Sequence, residues 1–238
     1  KKRRRRLINK FLKMPTLFFD LDGTLLDTAE DIFFSLNSTL KKFKIGEIDF
    51  QTTLSYIGNG VRPLIEKTLN QFGRTEELEK VLKDFLSNYR KNITKKTYIY
   101  QGNIELIFTL KKSDWKIILL TNKSQHLTSI LLSQMGITQI FDLIVCGDTF
   151  DVKKPNSKLF EIIKSVFSVK EPIFVLGDGI NDLIFASNIG AHFILAEWGF
   201  WSKSSEKELK SFPEKKIIRA KTPYDVIEKL KEKGIIKK

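Results

Sequence analysis

Five short runs of apolar residues recur along the chain, and each is followed directly by polar or turn-forming residues. The runs do not alternate between apolar and polar side chains. Uniform apolar runs of this length are typical of strands buried on both faces, as in a parallel sheet covered by helices. Helical patterns lie between them, and this alternation predicts a doubly wound α/β fold. The predicted strands cover residues 16–19, 116–120, 143–146, 173–176 and 192–196.

The interval from residue 29 to about residue 97 breaks this alternation, because it contains no strand-like run. Apolar residues recur there at helical spacing instead. Gly58-Asn59-Gly60 marks a turn, and Pro63 can occupy the first turn of the helix that follows it. We predict an all-helical insert at residues 29–97, within a core formed by residues 14–28 and 98–238. Its apolar faces are Ile32, Phe33, Leu36, Leu40 and Phe43, then Leu64, Ile65, Leu69 and Phe72, then Leu78, Val81, Leu82 and Phe85.

Most of the net charge of +13 comes from the first thirteen residues. They hold eight basic side chains and no acidic one, and the rest of the chain has 33 basic against 28 acidic side chains, a net charge of +5. A run of like charges usually stays solvated. We therefore predict that residues 1–13 are a disordered basic extension outside the fold. The alternative is a basic arm that attracts nucleic acid, although no recognition-helix motif supports such a partner.

Composition excludes several other classes of protein. No stretch approaches the roughly 18 apolar residues of a membrane span, so we expect no membrane partner. The single cysteine, Cys146, excludes an internal disulfide framework and favours a reducing compartment, the cytoplasm. With only two histidines beside it, the usual Cys/His zinc sites are excluded as well. The sequence is compatible with a monomer or a homodimer.

The candidate functional residues stand where the predicted strands end. Asp20, Thr121 and Asp178 lie at the ends of three different strands, and a later loop carries Lys153 and Lys154. Ligands of an open parallel sheet bind beyond the carboxyl ends of its strands. The pattern therefore predicts one site that contains acids, a hydroxyl and an amine.

Two pairs of closely spaced aspartates stand out among these residues. Asp20 and Asp22 leave one strand end two positions apart, and Asp178 and Asp182 form a second acidic pair. Neighbouring carboxylates repel each other unless a cation joins them or one takes a proton. Oxygen ligands favour Mg²⁺ over softer metals. Considered alone, Asp20 and Asp22 would also fit an Asx turn that closes a strand.

Four segments resemble, in order, the motifs of the haloacid dehalogenase-like hydrolase superfamily. They are residues 18–27 (Phe-Phe-Asp-Leu-Asp-Gly-Thr-Leu-Leu-Asp), Leu120-Thr121-Asn122, Lys154-Pro155, and residues 177–182 with Asp178 and Asp182. The resemblance implies a Rossmann-like parallel-sheet core with an inserted all-helical cap domain, which agrees with the strand-free interval. Asn156-Ser157-Lys158 departs from the third motif, where relatives often have a further proline, and the adjacent Lys153 leaves the choice of lysine open.

The resemblance also implies roles for the motif residues. Asp20 would be the nucleophile that forms an aspartyl phosphate, and Asp22 would act as general acid and then as general base. Thr121 would hydrogen-bond the transferring phosphoryl group, and Lys154 would neutralise its charge. Thr24 and Asn122 are further candidate substrate-binding residues. Mg²⁺ would be held by Asp20, Asp178, Asp182 and the backbone carbonyl of Asp22.

Within the superfamily, the sequence is similar to phosphoglycolate phosphatases. Residues 56–67 resemble their cap segment, and Trp198-Gly199-Phe200 resembles a later stretch of the same group. A carboxylated substrate such as 2-phosphoglycolate needs cationic or amide donors in the cap. We expect these from Arg62 and from the turn formed by Gly58, Asn59 and Gly60.

The sequence thus predicts a Mg²⁺-dependent phosphatase whose partner is a small phosphorylated metabolite, most directly 2-phosphoglycolate. Pyrophosphatase, nucleoside monophosphatase, and sugar phosphatase or phosphomutase activities of the same superfamily are the alternatives. A nucleic-acid binder that uses residues 1–13 and a catalytically silent scaffold are the competing classes. The complete set of motifs argues against the scaffold, and Asp22 argues against a true dehalogenase, whose leaving group needs no proton.

Overall fold

The computed structural model describes residues 14–201 and 205–237, so the prediction for residues 1–13 lies outside the described residues. A six-stranded sheet with strand order β5-β4-β1-β6-β7-β8 forms its centre, and all of its strand pairs are parallel. A separate antiparallel pair joins β2 to β3. The strands are β1 (Thr16–Phe19), β2 (Leu26–Asp27), β3 (Tyr98–Ile99), β4 (Lys116–Leu120), β5 (Leu143–Val145), β6 (Ile173–Gly177), β7 (His192–Ala196) and β8 (Ile217–Ala220).

Helices cover both faces of the sheet and fill the interval between β2 and β3. Three short 3₁₀ turns, at Thr75–Glu77, Thr138–Ile140 and Glu214–Lys216, complete the secondary structure of the described residues. The predicted α/β class is therefore confirmed. The helices are α1 (Ala29–Lys42), α2 (Phe50–Tyr56), α3 (Val61–Phe72), α4 (Leu78–Asn92), α5 (Asn103–Lys112), α6 (Gln125–Gln134), α7 (Lys158–Val166), α8 (Ile180–Asn188), α9 (Glu206–Ser211) and α10 (Pro223–Glu232).

Burial on both faces of the sheet explains the uniform apolar runs. Neighbouring residues of a strand point to opposite faces. In β1, Leu17 and Phe19 pack into one hydrophobic cluster, whereas Phe18 packs into a second cluster on the other face. Leu119 and Leu120 of β4 divide between the two clusters in the same way. The interior positions of these central strands are therefore apolar on both faces.

The sequence prediction identified five of the six strands of this sheet and missed β8. That strand lies at the edge of the sheet beside β7, and its Arg219 is exposed. An edge strand needs no continuous apolar run, so the pattern that marks the central strands is absent from it. The two-residue strands β2 and β3 were also missed, because pairs this short carry no periodic signal.

Helices α1 to α4 form the predicted helical insert, and α1 packs extensively against α4. Most residues of the predicted apolar faces are buried, and the half-buried ones are Phe33, Phe43, Phe72, Leu78 and Leu82. The sequence did not specify helix α2, whose N-terminus is capped by Asp49: the Asp49 carboxylate accepts from the Thr52 amide at 2.9 Å. The β2–β3 pair holds together the two places where the chain enters and leaves the insert.

A buried carboxylate fastens the end of the insert to its beginning. Asp31 of α1 is 2% exposed and accepts hydrogen bonds from the backbone amides of Lys96 and Thr97, at 3.0 and 2.8 Å. The Thr97 hydroxyl donates to it as well, at 2.8 Å. The Thr97 amide and hydroxyl are buried, so loss of the carboxylate would leave these two donors without an acceptor.

No helix within the described residues combines the length and the apolarity that a membrane crossing requires.

We predict that Asp31→Ala lowers the free energy of unfolding by about 2–4 kcal/mol, since it leaves buried donors unsatisfied. Asp31→Asn keeps one acceptor oxygen and should cost less. Denaturant unfolding measures both changes. The neighbouring Glu30 is exposed, so Glu30→Ala is the matched control and should change stability by less than about 1 kcal/mol. Equal losses in Asp31→Ala and Glu30→Ala would contradict this role of Asp31.

Candidate active site

The order of the strands brings the predicted site residues together. β1 lies between β4 and β6, so their three carboxyl ends meet at one edge of the sheet. The chain continues from β1 to β4 on one side and returns to β6 on the other, which makes this edge the topological switch point where α/β proteins bind ligands. Asp20, Thr121 and Asp178 follow these strand ends.

Three carboxylates and one ammonium form the centre of the site. Oxygen atoms of Asp20, Asp178 and Asp182 lie within 4.8 Å of one another. The Nζ of Lys154 donates to Asp20 at 2.7 Å and to Asp182 at 2.5 Å, and Lys154 is itself 4% exposed. Burial alone would lower the pKa of Lys154, but the carboxylates of Asp182 and Asp20 outweigh burial and raise it. The ammonium is thus held in its charged form.

Lys153 and Lys154, between which the sequence left the choice open, occupy different places. Lys154 reaches the carboxylates, whereas the Nζ of Lys153 donates to the Asn59 backbone carbonyl at 2.7 Å. The structure therefore puts Lys154 in the position that the third motif predicts.

The carboxylates carry more negative charge than the lysine can offset. Burial and the nearby charges of Asp182 and Asp178 raise the pKa of Asp20, although the Lys154 ammonium opposes this shift. Burial and Asp182 raise the pKa of Asp178 to about 7, despite hydrogen bonds to its carboxylate. Those bonds come from the Thr24 hydroxyl at 2.8 Å and the Phe200 amide at 2.6 Å.

This donor set fits a magnesium ion. All three side chains offer hard oxygen atoms, which Mg²⁺ prefers. A divalent cation would also relieve the repulsion that raises the pKa of the Asp20 and Asp178 carboxyls. Asp20, Asp178 and Asp182 are therefore the side chains that could hold it. Asp22 is a candidate through its backbone carbonyl, whereas its carboxylate has other partners.

Gly23 allows the two acidic loops to approach each other. Its φ of +83° lies in the region that favours glycine. A Cβ atom at this position would overlap the Asp178 carboxylate and lie 2.8 Å from the Phe200 ring. Any larger residue would therefore displace a carboxylate of the site.

The carboxylate of Asp22 has its own set of partners. It accepts from the Thr28 hydroxyl at 2.7 Å and from the Nζ of Lys123, which lies 2.8 and 2.9 Å from its two oxygens. Lys123 is 5% exposed, and its Nζ also lies 5.2 Å from the centre of the Tyr89 ring. Burial would lower the pKa of Lys123, but Asp22 and Tyr89 raise it. No role for Lys123 could be predicted from the sequence, since nothing in its sequence context shows that this loop lysine is buried.

The predicted Gly58-Asn59-Gly60 turn packs against the loops of the sheet. The Asn122 side-chain amide donates to the Gly58 carbonyl at 2.9 Å and to the Lys154 carbonyl at 3.1 Å. Asn181 donates to the same Gly58 carbonyl at 3.1 Å and to the Asn59 side chain at 3.1 Å. These bonds fasten the helical insert over the site.

A cavity of about 220 Å³ lies between the sheet and the insert. Asp20, Asp22, Thr121, Asn122 and Lys154 are among the lining residues from the sheet side. The insert contributes Leu54, Ser55, Ile57, Gly58, Asn59 and Lys67.

Three of the predicted substrate-binding residues have other contacts in the structure. Thr24 is fully buried and directs its hydroxyl to Asp178, so it supports a carboxylate of the site. Arg62 donates from both terminal nitrogens to Glu79, at 2.8 and 3.1 Å. Gly60 lies close to the Asn122 carbonyl. Within the part of the chain that the structure describes, none of the three lines the cavity. Sequence spacing could not reveal these choices of partner, because each depends on how distant segments pack.

Comparison with known proteins agrees with this geometry. A family profile for haloacid dehalogenase-like hydrolases matches residues 17–196. The chain is 33% identical over 197 residues to a phosphoglycolate phosphatase of Aquifex aeolicus (strain VF5), covering 81% of this chain and 89% of that relative. It is 32% identical over 192 residues to a phosphoglycolate phosphatase of Agrobacterium fabrum (strain C58), covering 78% and 82%.

A solved structure supports the fold in addition. It is the crystal structure of a predicted phosphoglycolate phosphatase from Haemophilus somnus 129pt, which matches with a TM-score of 0.80 and 22% identity over 90% of this chain and 96% of that one. The family profile covers well over half of the sequence and includes the three strand ends that build the site. The chain therefore belongs to the haloacid dehalogenase-like hydrolase family, is similar to the phosphoglycolate phosphatases within it, and is a phosphoric monoester hydrolase.

Proposed function

We propose that this protein is a Mg²⁺-dependent phosphatase that hydrolyses 2-phosphoglycolate to glycolate and phosphate through an aspartyl phosphate on Asp20. The observation that carries the proposal is the position of the Asp20 carboxylate. It lines the cavity, contacts the Lys154 ammonium at 2.7 Å and lies within 4.8 Å of two further carboxylates. A nucleophile beside an ammonium and a cation-binding cluster suits attack on a phosphate ester.

In the first step, an Asp20 oxygen attacks phosphorus, and the bond between phosphorus and the ester oxygen breaks. Asp22 gives its proton to the departing oxygen, which leaves as the alcohol of glycolate. Lys154 offsets negative charge on the phosphoryl group. Thr121 is placed to donate, because its hydroxyl oxygen accepts from the Lys123 amide at 3.1 Å and its proton stays available.

In the second step, water attacks the phosphorus of the aspartyl phosphate. Asp22, now ionised, takes a proton from that water, and the Asp20 carboxylate is released together with inorganic phosphate. Both catalytic groups return to their starting protonation states.

Asp20, Asp178 and Asp182 would hold Mg²⁺, together with the backbone carbonyl of Asp22. When bound, the ion supplies positive charge that neutralises the phosphoryl oxygens.

Residues 29–97 form the cap in this proposal, and residues 14–28 with 98–238 form the catalytic core. The contacts of Asn122, Asn181 and Lys153 with the Gly58-Asn59 turn support a cap that closes the cavity. Closure excludes bulk water from the first step, which strengthens the electrostatic interactions inside the site.

The size and lining of the cavity favour a small anionic substrate. At about 220 Å³ the cavity is smaller than typical pockets for drug-sized ligands, which run from roughly 300 Å³ upwards. On the cap side, Lys67 and Ser55 line it and offer donors for a carboxylate opposite the phosphate. We assign to Lys67 the role that the sequence suggested for Arg62, whose guanidinium is paired with Glu79.

The names of the relatives also support 2-phosphoglycolate. Pyrophosphate, nucleoside monophosphates and sugar phosphates are the competing substrates, of which the larger ones fit this cavity less well. The buried Cys146 suits a reducing compartment, and we propose a cytoplasmic enzyme.

We expect Asp20→Asn to lower phosphate release from 2-phosphoglycolate by at least about 10³-fold, since it removes the attacking carboxylate. Chelation of divalent cations should abolish wild-type activity, and added Mg²⁺ should restore it. Phosphate release measured with and without chelator tests both statements. The amide keeps the size of the side chain. A folded Asp20→Asn protein that retains wild-type activity would therefore refute the assignment of Asp20 as the nucleophile.

We expect Lys67→Gln to raise the KM for 2-phosphoglycolate by about 10-fold, because it removes a charge-assisted hydrogen bond to the substrate carboxylate. The KM for p-nitrophenyl phosphate, which lacks that carboxylate, should change by less than about twofold. The exposed Lys83 of α4 provides the control Lys83→Gln, expected to match the wild type. Equal rises in KM for both substrates would contradict the assignment of Lys67.

A further inference from the structure

We propose that Lys123 is a positioning residue that fixes the Asp22 carboxylate for proton transfer and links its placement to the cap through Tyr89. This inference rests on the proposed function, in which Asp22 protonates the leaving group. Lys123 also lines the cavity, but its ammonium is occupied by the two oxygens of Asp22, so we infer that its effect on the reaction passes through Asp22.

The contact between Lys123 and Asp22 leaves the carboxylate little freedom. The ammonium lies within 2.9 Å of both Asp22 oxygens, and the Thr28 hydroxyl donates to one of them at 2.7 Å. Both residues of the pair are shielded, with side-chain exposures of 4% for Lys123 and 13% for Asp22. Separating a buried ammonium from its carboxylate loses a compensating charge, so the pair favours one orientation of Asp22 before substrate binds.

The other side of the Lys123 ammonium faces the cap. Tyr89 of α4 is fully buried and stacks on Phe85, with ring centres 5.5 Å apart and planes 22° apart. The ammonium lies 5.2 Å from the Tyr89 ring centre, within range of a cation–π interaction. Lys123 therefore lies between a catalytic group of the core and an aromatic residue of the cap.

The second donor to Asp22 also lies where core and cap meet. Thr28 immediately precedes α1, the first helix of the insert. The Asp22 carboxylate thus receives one hydrogen bond from the entry of the cap and two from a lysine that contacts the cap. A shift of the cap relative to the core would change both sets of contacts, which couples proton transfer to the position of the cap.

Leaving-group chemistry distinguishes this role from a general structural one. Protonation by Asp22 matters for an alkyl alkoxide, which is a poor leaving group, and matters little for p-nitrophenolate, which departs without a proton. The parameter kcat/KM reports only the steps through the first irreversible one, here phosphorylation of Asp20. It therefore isolates the step in which Asp22 acts as an acid.

We expect Lys123→Met to lower kcat/KM for 2-phosphoglycolate by about 10–100-fold, within the range of general acid catalysis. The kcat/KM for p-nitrophenyl phosphate should fall by less than about threefold. Asp22→Asn should show the same selectivity, and the double variant should lose no more than Asp22→Asn alone, since the two residues act as one unit. Lys123→Arg, which keeps the charge and the donors, should recover most of the loss.

Two substitutions in α4 test the link to the cap. Tyr89→Leu removes the ring and should lower kcat/KM for 2-phosphoglycolate about 3–10-fold more than for p-nitrophenyl phosphate. Tyr89→Phe keeps the ring and should stay within about twofold of the wild type. Phe85→Leu removes the neighbouring buried ring, which stacks on Tyr89, and serves as the matched control for lost packing. Phe85→Leu should lower the melting temperature without changing the ratio of the kcat/KM values for the two substrates.

Equal losses on both substrates in Lys123→Met, or additive losses in the double variant, would overturn the proposal. If Phe85→Leu changes the ratio of the two kcat/KM values as much as Tyr89→Leu does, the link to the cap is overturned. Failure of the proposed function can be told apart, because the wild-type enzyme itself would then release no phosphate from 2-phosphoglycolate. If another alkyl phosphate proves to be the substrate, the same comparison is made with that compound.

Discussion

A cluster of three carboxylates, two of which are bridged by one buried ammonium, is the arrangement on which the rest of this structure depends. Asp20, Asp178 and Asp182 lie within 4.8 Å of one another, and Lys154 reaches two of them. Such a cluster is unfavourable in isolation, because burial and like charge both penalise it. The fold maintains it with the Thr24 hydroxyl, the Phe200 amide and the absence of a side chain at Gly23. The same unfavourable electrostatics would favour a divalent cation, whose charge could in turn offset that of a phosphoryl group.

The helical insert completes this site in two different ways. Its Gly58-Asn59 turn is held to the sheet by three side chains of the core, which closes the cavity from above. Its helix α4 brings Tyr89 to Lys123, next to Asp22. The Asp31 carboxylate and the β2–β3 pair keep both ends of the insert together. Anchoring at the ends of the insert and contact at the site are thus made by separate groups of residues.

The central strands and the residues at their ends could be predicted because each depends on local pattern. A strand buried on both faces must be apolar throughout, and its carboxyl end must lie at the ligand-binding edge. The contacts that could not be predicted join side chains that lie far apart in the sequence. Arg62 binds Glu79, Thr24 binds Asp178, and Lys123 is buried against Asp22 and Tyr89. The edge strand β8 escaped prediction for a different reason, since one face of it is exposed.

The central claim is that the phosphoryl group passes through a covalent bond to Asp20. Acid quenching during turnover, followed by borohydride reduction, converts an aspartyl phosphate to homoserine, which peptide mass spectrometry locates. The account predicts homoserine at position 20, present only when substrate is added, with Asp22, Asp178 and Asp182 unchanged. Homoserine at the position of another aspartate would contradict it. So would the absence of homoserine at position 20 when a burst of product shows that a covalent intermediate accumulates.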